Sequence, residues 1–132
     1  MSNIIFFSFK EEDRENVLTI KGRATNNNYK NLDFRVRDLL KRWDTEDEAT
    51  IKQAISKTIK GTSRTIVFVG NHTNKSYWVP KEVQMTLEAG KDVYAIRLKG
   101  TEGKIPKCLY ENNIPVYEWS EEKLQYLATL AK

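Results

Sequence analysis

The sequence predicts an α/β fold in which a parallel sheet of five strands, in the order 2-1-3-4-5, is covered by helices on both faces. The first observation is that strand-like and helix-like segments alternate along the chain, which is typical of a parallel sheet. The second is that its clearest strands are apolar almost throughout, as expected when both faces are buried. The third is the length of 132 residues, which predicts one domain spanning residues 1–132.

The first third of the chain predicts two strands and a helix. Ile4 to Phe9 is an apolar first strand, and Glu11 to Lys21, polar at its start and apolar later, is interpreted as a helix. Gly22 to Lys30 contains three consecutive asparagines and predicts a loop. Tyr29 to Phe34 is a weaker second strand, which we expect at an edge of the sheet because it is not uniformly apolar.

The next two elements have the strongest patterns. Asp44 to Lys60 predicts a helix because its apolar residues recur at helical spacing. Thr45 and Glu48 resemble a capping box, and Gly61 is a fitting stop. Arg64 to Gly70 is β-branched and uniformly apolar in its centre, which predicts a central third strand.

The rest of the chain continues the alternation. Glycines and prolines mark its turns. The predicted segments are a polar loop at Asn71 to Tyr77, a helix at Pro80 to Ala89, a strand at Asp92 to Leu98, an irregular stretch at Lys99 to Tyr110, a short strand at Ile114 to Glu118 and a helix at Glu121 to Ala131.

Composition excludes several classes of protein. The formal net charge is +4, but basic and acidic residues are interleaved, and the densest basic stretch, Arg35 to Arg42, has no recognition motif. Nucleic-acid binding is therefore disfavoured, and a positive pocket for a phosphate-bearing ligand explains the charge as well. No apolar run approaches the roughly 20 residues that a membrane helix needs, so we expect no membrane partner. The single cysteine, Cys108, cannot form an internal disulfide, which fits a cytoplasmic location.

Familiar catalytic and metal motifs are absent from the sequence. There is no Gly-x-Gly-x-x-Gly after the first strand and no Walker-type loop, which argues against a Rossmann oxidoreductase or a P-loop nucleotidase. With one histidine and one cysteine we expect no metal site. A Ser-His-Asp triad would need His72, and no nucleophile elbow lies near it.

The predicted strand order nominates a ligand site. In such sheets, ligands bind beyond the carboxyl ends of the strands where the order reverses, here between the first and third strands. The loops at residues 8–11 and 70–73 and the start of the following helix lie there. Phe9 is either core or a ligand contact, Lys10 could meet a phosphate, and His72 is either a surface residue or part of the site. The candidate ligand-contacting residues of these loops are Ser8, Phe9, Lys10, Asn71 and His72.

Two segments together resemble a known family. The first strand ends in an aromatic-Ser-aromatic segment at residues 7–9, and the third strand leads through a polar loop to Ser76, Trp78-Val79, Glu82 and a Gly90-Lys91 turn. This combination resembles the TIR-like family, and its closest variant looks like the TIR-like proteins of bacterial Thoeris anti-phage systems. The resemblance covers most of the chain, and its specific signal lies in residues 4–9 and 64–98.

The resemblance implies a flavodoxin-like three-layer sandwich and NAD⁺ as the substrate. The family's catalytic glutamate corresponds to Glu82. Members break the nicotinamide–ribose bond and then hydrolyse, cyclise or transfer the ADP-ribose. In Thoeris-type systems the product signals to a separate effector protein, so the expected partners are NAD⁺, that effector, a phage-derived trigger and a second copy of the chain.

The chemistry of Glu82 fits this role. Nicotinamide leaves as a neutral molecule and needs no general acid, while a fixed carboxylate can stabilise the oxocarbenium-like ribose. We expect Glu82 at a cleft surface in the first turn of its helix, where the dipole favours its ionised form. The alternative is that Glu82 only complements this dipole. Trp78 either stacks on the ligand or packs in the core.

Two other functions remain open on the same fold. One is a non-catalytic TIR-like interaction module, and the other is a nucleotide or flavin sensor. A flavin site is disfavoured because Ser8 is the one hydroxyl residue in the first loop. The segment Phe34 to Trp43 lacks the glycine and proline of the assembly loop found in many TIR domains, which puts assembly through it in doubt. Asp33 and Asp44 are interpreted as solvated loop acids.

Overall fold

The sheet has the predicted order. The computed structural model describes residues 4–25, 34–37 and 47–130. Five strands pair in the order β2-β1-β3-β4-β5, and all four pairings are parallel. The strands are β1 at Ile4–Ser8, β2 at Arg35–Arg37, β3 at Arg64–Val69, β4 at Asp92–Arg97 and β5 at Val116–Tyr117. The central position of the third strand and the edge position of the second are confirmed.

Helices connect the strands and cover both faces of the sheet. A 3₁₀ turn at Glu11–Asp13 precedes the first helix, and another at Thr73–Lys75 follows β3. The helices are α1 at Arg14–Thr25, α2 at Glu48–Lys60, α3 at Trp78–Glu88, α4 at Lys107–Tyr110 and α5 at Glu121–Thr129. No helix in the described ranges is long and apolar enough to cross a membrane.

Side-chain alternation along β1 separates the two layers of core. Ile5 and Phe7 point to the face covered by α1 and α5, where Val17 and Leu124 pack. Phe6 points to the other face and packs against Ile51, Ile55 and Ile59 of α2. A third cluster joins β3 and β4 to α3 and α4 on this second face. Since successive strand residues point to opposite faces, Ser8 shares the α2–α3 side with Phe6.

The first helix is longer than predicted. We expected it to end at Lys21 and a loop to begin at Gly22, but α1 continues through Gly22 to Thr25. Ala24, in this last turn, is buried in the core with Val17 and Ile20. Tertiary burial therefore outweighs the roughly 0.5–1 kcal/mol that glycine costs inside a helix. The prediction of a loop from residue 22 is wrong.

The second strand and second helix begin later than predicted. The strand runs over Arg35–Arg37 rather than over Tyr29 to Phe34, and residues 26–33 lie outside the described ranges. The helix begins at Glu48, because the carboxylate of Asp47 accepts a hydrogen bond from the Thr50 amide at 2.7 Å. This bond lowers the pKa of Asp47. A capping box with Glu48 at its third position is therefore wrong.

Three elements in the last third of the chain also differ from the predictions. The stretch predicted to be irregular from Lys99 to Tyr110 contains the short helix α4. The last strand and last helix are both shorter than predicted. Trp119 packs against the core. Asp33 and Asp44, interpreted as solvated loop acids, lie outside the described residues.

The Gly90-Lys91 turn of the sequence pattern has a structural function. Gly90 adopts a φ of +74°, a left-handed conformation that favours glycine. The Lys91 ammonium donates hydrogen bonds to the carbonyl oxygens of Ile59, Lys60 and Thr62. These carbonyls end α2, where a helix has unsatisfied acceptors and a partial negative charge. Lys91 therefore joins the start of β4 to the end of α2.

Replacing Lys91 by methionine should destabilise the protein by about 1–2 kcal/mol, because charged hydrogen bonds to a helix end are lost. Urea denaturation followed by circular dichroism measures this. Lys99→Met is the control, since Lys99 is exposed and its replacement removes the same charge. Equal stability of the two variants would contradict the role given to Lys91.

Candidate active site

The candidate site centres on the carboxylate of Glu82. Glu82 lies on α3, and Ser8 is the last residue of β1. The Ser8 hydroxyl donates a hydrogen bond to Oε1 of Glu82 across 2.6 Å. Both residues are fully buried. The two parts of the sequence that carried the family resemblance thus meet in one short contact at the switch point of the sheet.

Two expectations for Glu82 need correction. The helix starts at Trp78 rather than at Pro80, so Glu82 lies in its second turn. Since the helix dipole acts mainly within the first turn, it is not the principal partner of this carboxylate. Glu82 is also 0% exposed, whereas we expected it at the surface of a cleft. The Ser8 hydroxyl, rather than solvent, meets one oxygen of this carboxylate.

The early start of α3 has a local cause. The hydroxyl oxygen of Ser76 accepts a hydrogen bond from the Val79 amide at 3.1 Å, as a helix N-cap does. Pro80 is then in the first turn, where its missing N–H costs nothing. Ser76 of the sequence pattern therefore sets where the helix begins, and through it the position of Glu82.

A second polar contact holds α3 to the sheet one turn further on. The hydroxyls of Thr65 and Thr86 are 2.7 Å apart, and the Thr86 hydroxyl donates to the backbone carbonyl of Glu82 at 2.8 Å. A hydroxyl has one proton, so Thr65 is the donor in the contact with Thr86. The register of α3 against β1 and β3 is thus fixed at Ser8 and at Thr65.

The loop after β3 is held in place by close backbone packing. The Gly70 amide donates to the Thr73 hydroxyl at 2.7 Å. Gly103 lies directly against this loop, since a Cβ on Gly103 would be 2.3 Å from the carbonyl oxygens of both Gly70 and Asn71. The Asn71 side-chain oxygen accepts from the Glu102 amide at 2.9 Å. Asn71, a predicted ligand contact, therefore takes part in a contact between two loops.

Charged side chains from both switch-point loops meet at the surface. One carboxylate oxygen of Glu12 is 2.7 Å from Nδ1 of His72, and the other is 3.9 Å from the Lys10 ammonium. Glu12 and His72 are 40% and 52% exposed. Two of the predicted ligand-contacting residues, Lys10 and His72, are therefore brought together, and Glu12 lies between them.

Asp13 is the partly buried member of this group. Its carboxyl lies against Gly70, where an added Cβ would be 2.3 Å from Oδ2. That oxygen is buried and has no hydrogen-bond partner among the described residues. Burial raises the pKa of Asp13, the Glu12 carboxylate raises it further, and Lys10 and His72 oppose the rise.

The predicted aromatic contacts lie in the core. Phe9 is buried with Phe7 on the α1–α5 face, opposite the side on which Ser8 meets Glu82. Of the two interpretations of Phe9, core or ligand contact, the structure shows core packing, because alternation along the strand separates its face from that of Glu82. Trp78 is partly buried and packs against the cluster of Phe6 and the α2 isoleucines. Its ring also meets that of Tyr77 edge to face, with centroids 5.2 Å apart.

A surface groove of about 670 Å³ lies on the other side of α3, facing α4. Pro80, Val83 and Leu87 line it from α3, and Cys108 of α4 and Glu111, directly after that helix, line its other side. It includes none of the predicted site residues. Among the residues that the structure describes, no group of three or more His, Cys, Asp or Glu side chains is arranged to hold a metal ion.

Comparison with known proteins identifies the family. A family model described as Thoeris protein ThsB, TIR-like domain, matches residues 6–103, which is most of the chain. The chain belongs to the Thoeris ThsB TIR-like family. The matched range contains Ser8, Glu82 and the charged group at Glu12, so the site lies within the TIR-like part of the sequence.

A solved structure agrees with this assignment at the level of fold. The TIR-like chain is similar to the crystal structure of the TIR domain of the Toll-related receptor TRR-2 from Hydra magnipapillata. The TM-score is 0.57 and the identity 18%, over 94% of this chain and 90% of that chain. At this identity the likeness shows the fold alone. No curated protein matches the chain.

Sequence reasoning missed several residues that shape the TIR-like site. Glu12 and Asp13 lie in a stretch of mixed charge that gives no signal of its own. Their partners, His72 and Gly70, are far away in the sequence. Thr65 and Thr86 lie among apolar residues, and an isolated threonine there gives no signal of its partner. Gly103 lies in the stretch predicted to be irregular, but the sequence does not indicate its close approach to Gly70.

Replacing Gly103 by alanine should destabilise the protein by about 1–3 kcal/mol, because the new methyl would overlap backbone oxygens that cannot rotate away. Gly22→Ala is the matched control. A Cβ there meets nothing within 4 Å and the site is helical, so this variant should gain about 0.5–1 kcal/mol. Thermal unfolding compares the two. Opposite signs are expected, and a neutral Gly103→Ala would show that the loops are loosely packed.

Proposed function

We propose that this TIR-like chain is an NAD⁺-processing enzyme. It cleaves the nicotinamide–ribose bond and makes a cyclic or conjugated ADP-ribose-derived nucleotide that signals in anti-phage defence. One observation carries the proposal. A glutamate at the position of the family's catalytic residue lies at the switch point of the sheet, and Ser8 holds its carboxylate at 2.6 Å. Ligands of such sheets bind at that point.

The reaction needs little acid–base chemistry. When the bond between C1′ of the ribose and nicotinamide breaks, its electron pair passes to the ring nitrogen, and nicotinamide leaves neutral. The positive charge that develops on the ribose is stabilised by the Glu82 carboxylate, as in glycoside hydrolysis. A water or hydroxyl oxygen then attacks C1′ and loses its proton to solvent. Water gives ADP-ribose, and a hydroxyl of the same molecule gives a cyclic product.

The burial of Glu82 places a condition on this mechanism. The carboxylate is 0% exposed, so the ribose reaches it only after side chains around Ser8 and Glu82 move apart. The need for this movement is compatible with an enzyme that stays inactive until a trigger acts. The partners proposed for it are a phage-derived trigger, a second copy of the chain and a separate effector that binds the product.

The same burial favours one alternative. A fully buried glutamate bonded to a serine can serve the fold alone, and the chain would then be a non-catalytic TIR-like interaction module. Activity assays on the wild type separate the two. A chain that never turns over NAD⁺, with or without lysate of phage-infected cells, would support the module.

Replacing Glu82 by glutamine should lower NAD⁺ turnover by about 10²–10³-fold, since the charge opposite the forming cation is lost. Glutamine keeps the shape and still accepts the Ser8 hydrogen bond, so the melting temperature should change little. Mass spectrometry of the products, with and without infected-cell lysate, measures turnover.

The control for this experiment is Glu88→Gln, which makes the same charge change at an exposed position of the same helix. It should leave turnover unchanged. Undiminished turnover by a folded Glu82→Gln variant, next to an active wild type, would end the case for Glu82.

Ser8→Ala should reduce kcat by roughly tenfold with little change in KM, because one hydrogen bond that orients Glu82 is removed. Ser8→Thr retains the hydroxyl and should restore much of the rate. Thr65→Val is the matched control, since it removes a buried hydrogen bond between the sheet and α3 without touching the Glu82 carboxylate. If Thr65→Val lowered kcat as strongly, Ser8 would act only through the packing of α3.

A further inference from the structure

The two oxygens of one carboxylate, that of Glu12, contact two different basic side chains. Oε2 is 2.7 Å from Nδ1 of His72, and Oε1 is 3.9 Å from the Lys10 ammonium. Lys10 follows β1, and His72 follows β3. Glu12 therefore joins the two loops that flank the switch point, and it does so as an anion between two groups that can carry positive charge.

A phosphate group has the same recognition chemistry as this carboxylate. Both present oxygens that accept charge-assisted hydrogen bonds from lysine and protonated histidine. The contacts of Glu12 are exposed, and ion pairs of that kind contribute only about 0–1 kcal/mol. An external anion that reaches Lys10 and His72 together can therefore replace Glu12 at small cost, and the Glu12 side chain has solvent into which to turn.

We propose that Glu12 is an internal stand-in for phosphate, and that the diphosphate of the ligand displaces it from Lys10 and His72. The identification of that ligand with NAD⁺ rests on the proposed function, whereas the diphosphate site does not. By occupying the two basic groups, Glu12 makes binding selective. A diphosphate restores the interactions that it breaks, and a neutral nucleoside does not.

The surrounding charges are compatible with an anion at this place. Asp13 is the other acidic group that faces the cluster, and it would oppose a bound phosphate. Burial raises its pKa and the neighbouring Glu12 carboxylate raises it further. A phosphate that takes the place of Glu12 is again a negative neighbour, so it keeps the pKa of Asp13 raised. Asp13 also remains packed against Gly70, with its carboxyl on the backbone of the β3 loop.

The test uses the single histidine of the chain as the reporter. The proton resonances of the His72 ring need no assignment against other histidines, so their shifts report directly on the site. Inorganic diphosphate and ADP-ribose are titrated separately at fixed pH and ionic strength into wild type, Glu12→Gln and Glu15→Gln. ADP-ribose has no nicotinamide bond, so its binding is independent of turnover.

The control, Glu15→Gln, removes the same charge from an exposed residue in the first turn of α1. Glu12→Gln should bind both probes about two- to fivefold more tightly than wild type, which is the range expected from one exposed ion pair. Glu15→Gln should bind like wild type. Lys10→Met should weaken binding, and the gain from Glu12→Gln should shrink in that background.

Several outcomes would overturn the stand-in role. Equal tightening by Glu12→Gln and Glu15→Gln would indicate a general effect of net charge. Weaker binding by Glu12→Gln would indicate that Glu12 positions His72 for the ligand instead. No binding of either probe by any variant at millimolar concentration would remove the site.

Turnover of NAD⁺ separates this inference from the proposed function. Tighter diphosphate binding by Glu12→Gln together with no NAD⁺ cleavage would keep the anion site and reject the enzyme. Cleavage that depends on Glu82, with diphosphate binding unaffected by Glu12→Gln, would keep the enzyme and reject the stand-in.

Discussion

The position of the site depends on one hydrogen bond between the end of the first strand and the middle of the third helix. Ser8 and Glu82 are far apart in sequence, and their contact joins the sheet to α3 inside the core. A buried polar pair is costly unless both groups are satisfied, and it therefore allows few alternative arrangements. Thr65 and Thr86 repeat the arrangement one turn along, so the helix cannot slide along the sheet without breaking both contacts.

This arrangement explains why a carboxylate can be held in a region that is otherwise apolar. The neighbouring strand β3 provides Val67 and Val69, which pack under α3 with Val79 and Val83. Glu82 and Thr86 lie one turn apart on the helix, and each meets a hydroxyl of the sheet. The helix thus has an apolar stripe that packs on the sheet and a polar stripe that fixes the position of the helix along the same sheet.

Much of the fold followed from the sequence because its signals are local. Apolar runs with β-branched residues defined the strands, and the alternation with helices gave the parallel order that the structure shows. The end of α1 did not follow, since burial of Ala24 is a tertiary effect. The start of α2 was misplaced because Asp47 and Thr45 both suit a cap, and sequence does not tell which one adopts the geometry.

The site was predictable in its location but only partly in its geometry. The switch-point rule and the family pattern brought Ser8 and Glu82 to one place. The alternation of strand side chains already separates Ser8 from Phe9, and it should have counted against Phe9 as a neighbour of Glu82. The full burial of Glu82 and the pairing of Glu12 with His72 depend on how whole helices and loops pack, which a linear pattern does not contain.

Lys91, whose ammonium binds the carbonyls at the end of α2, belongs to a later part of the chain. Its ammonium supplies hydrogen bonds to the carbonyls of Ile59, Lys60 and Thr62 from the turn before β4. During synthesis from the N-terminus, the last turn of α2 therefore lacks these partners until residue 91 has been added. Completion of the second helix is in this way tied to the arrival of the fourth strand.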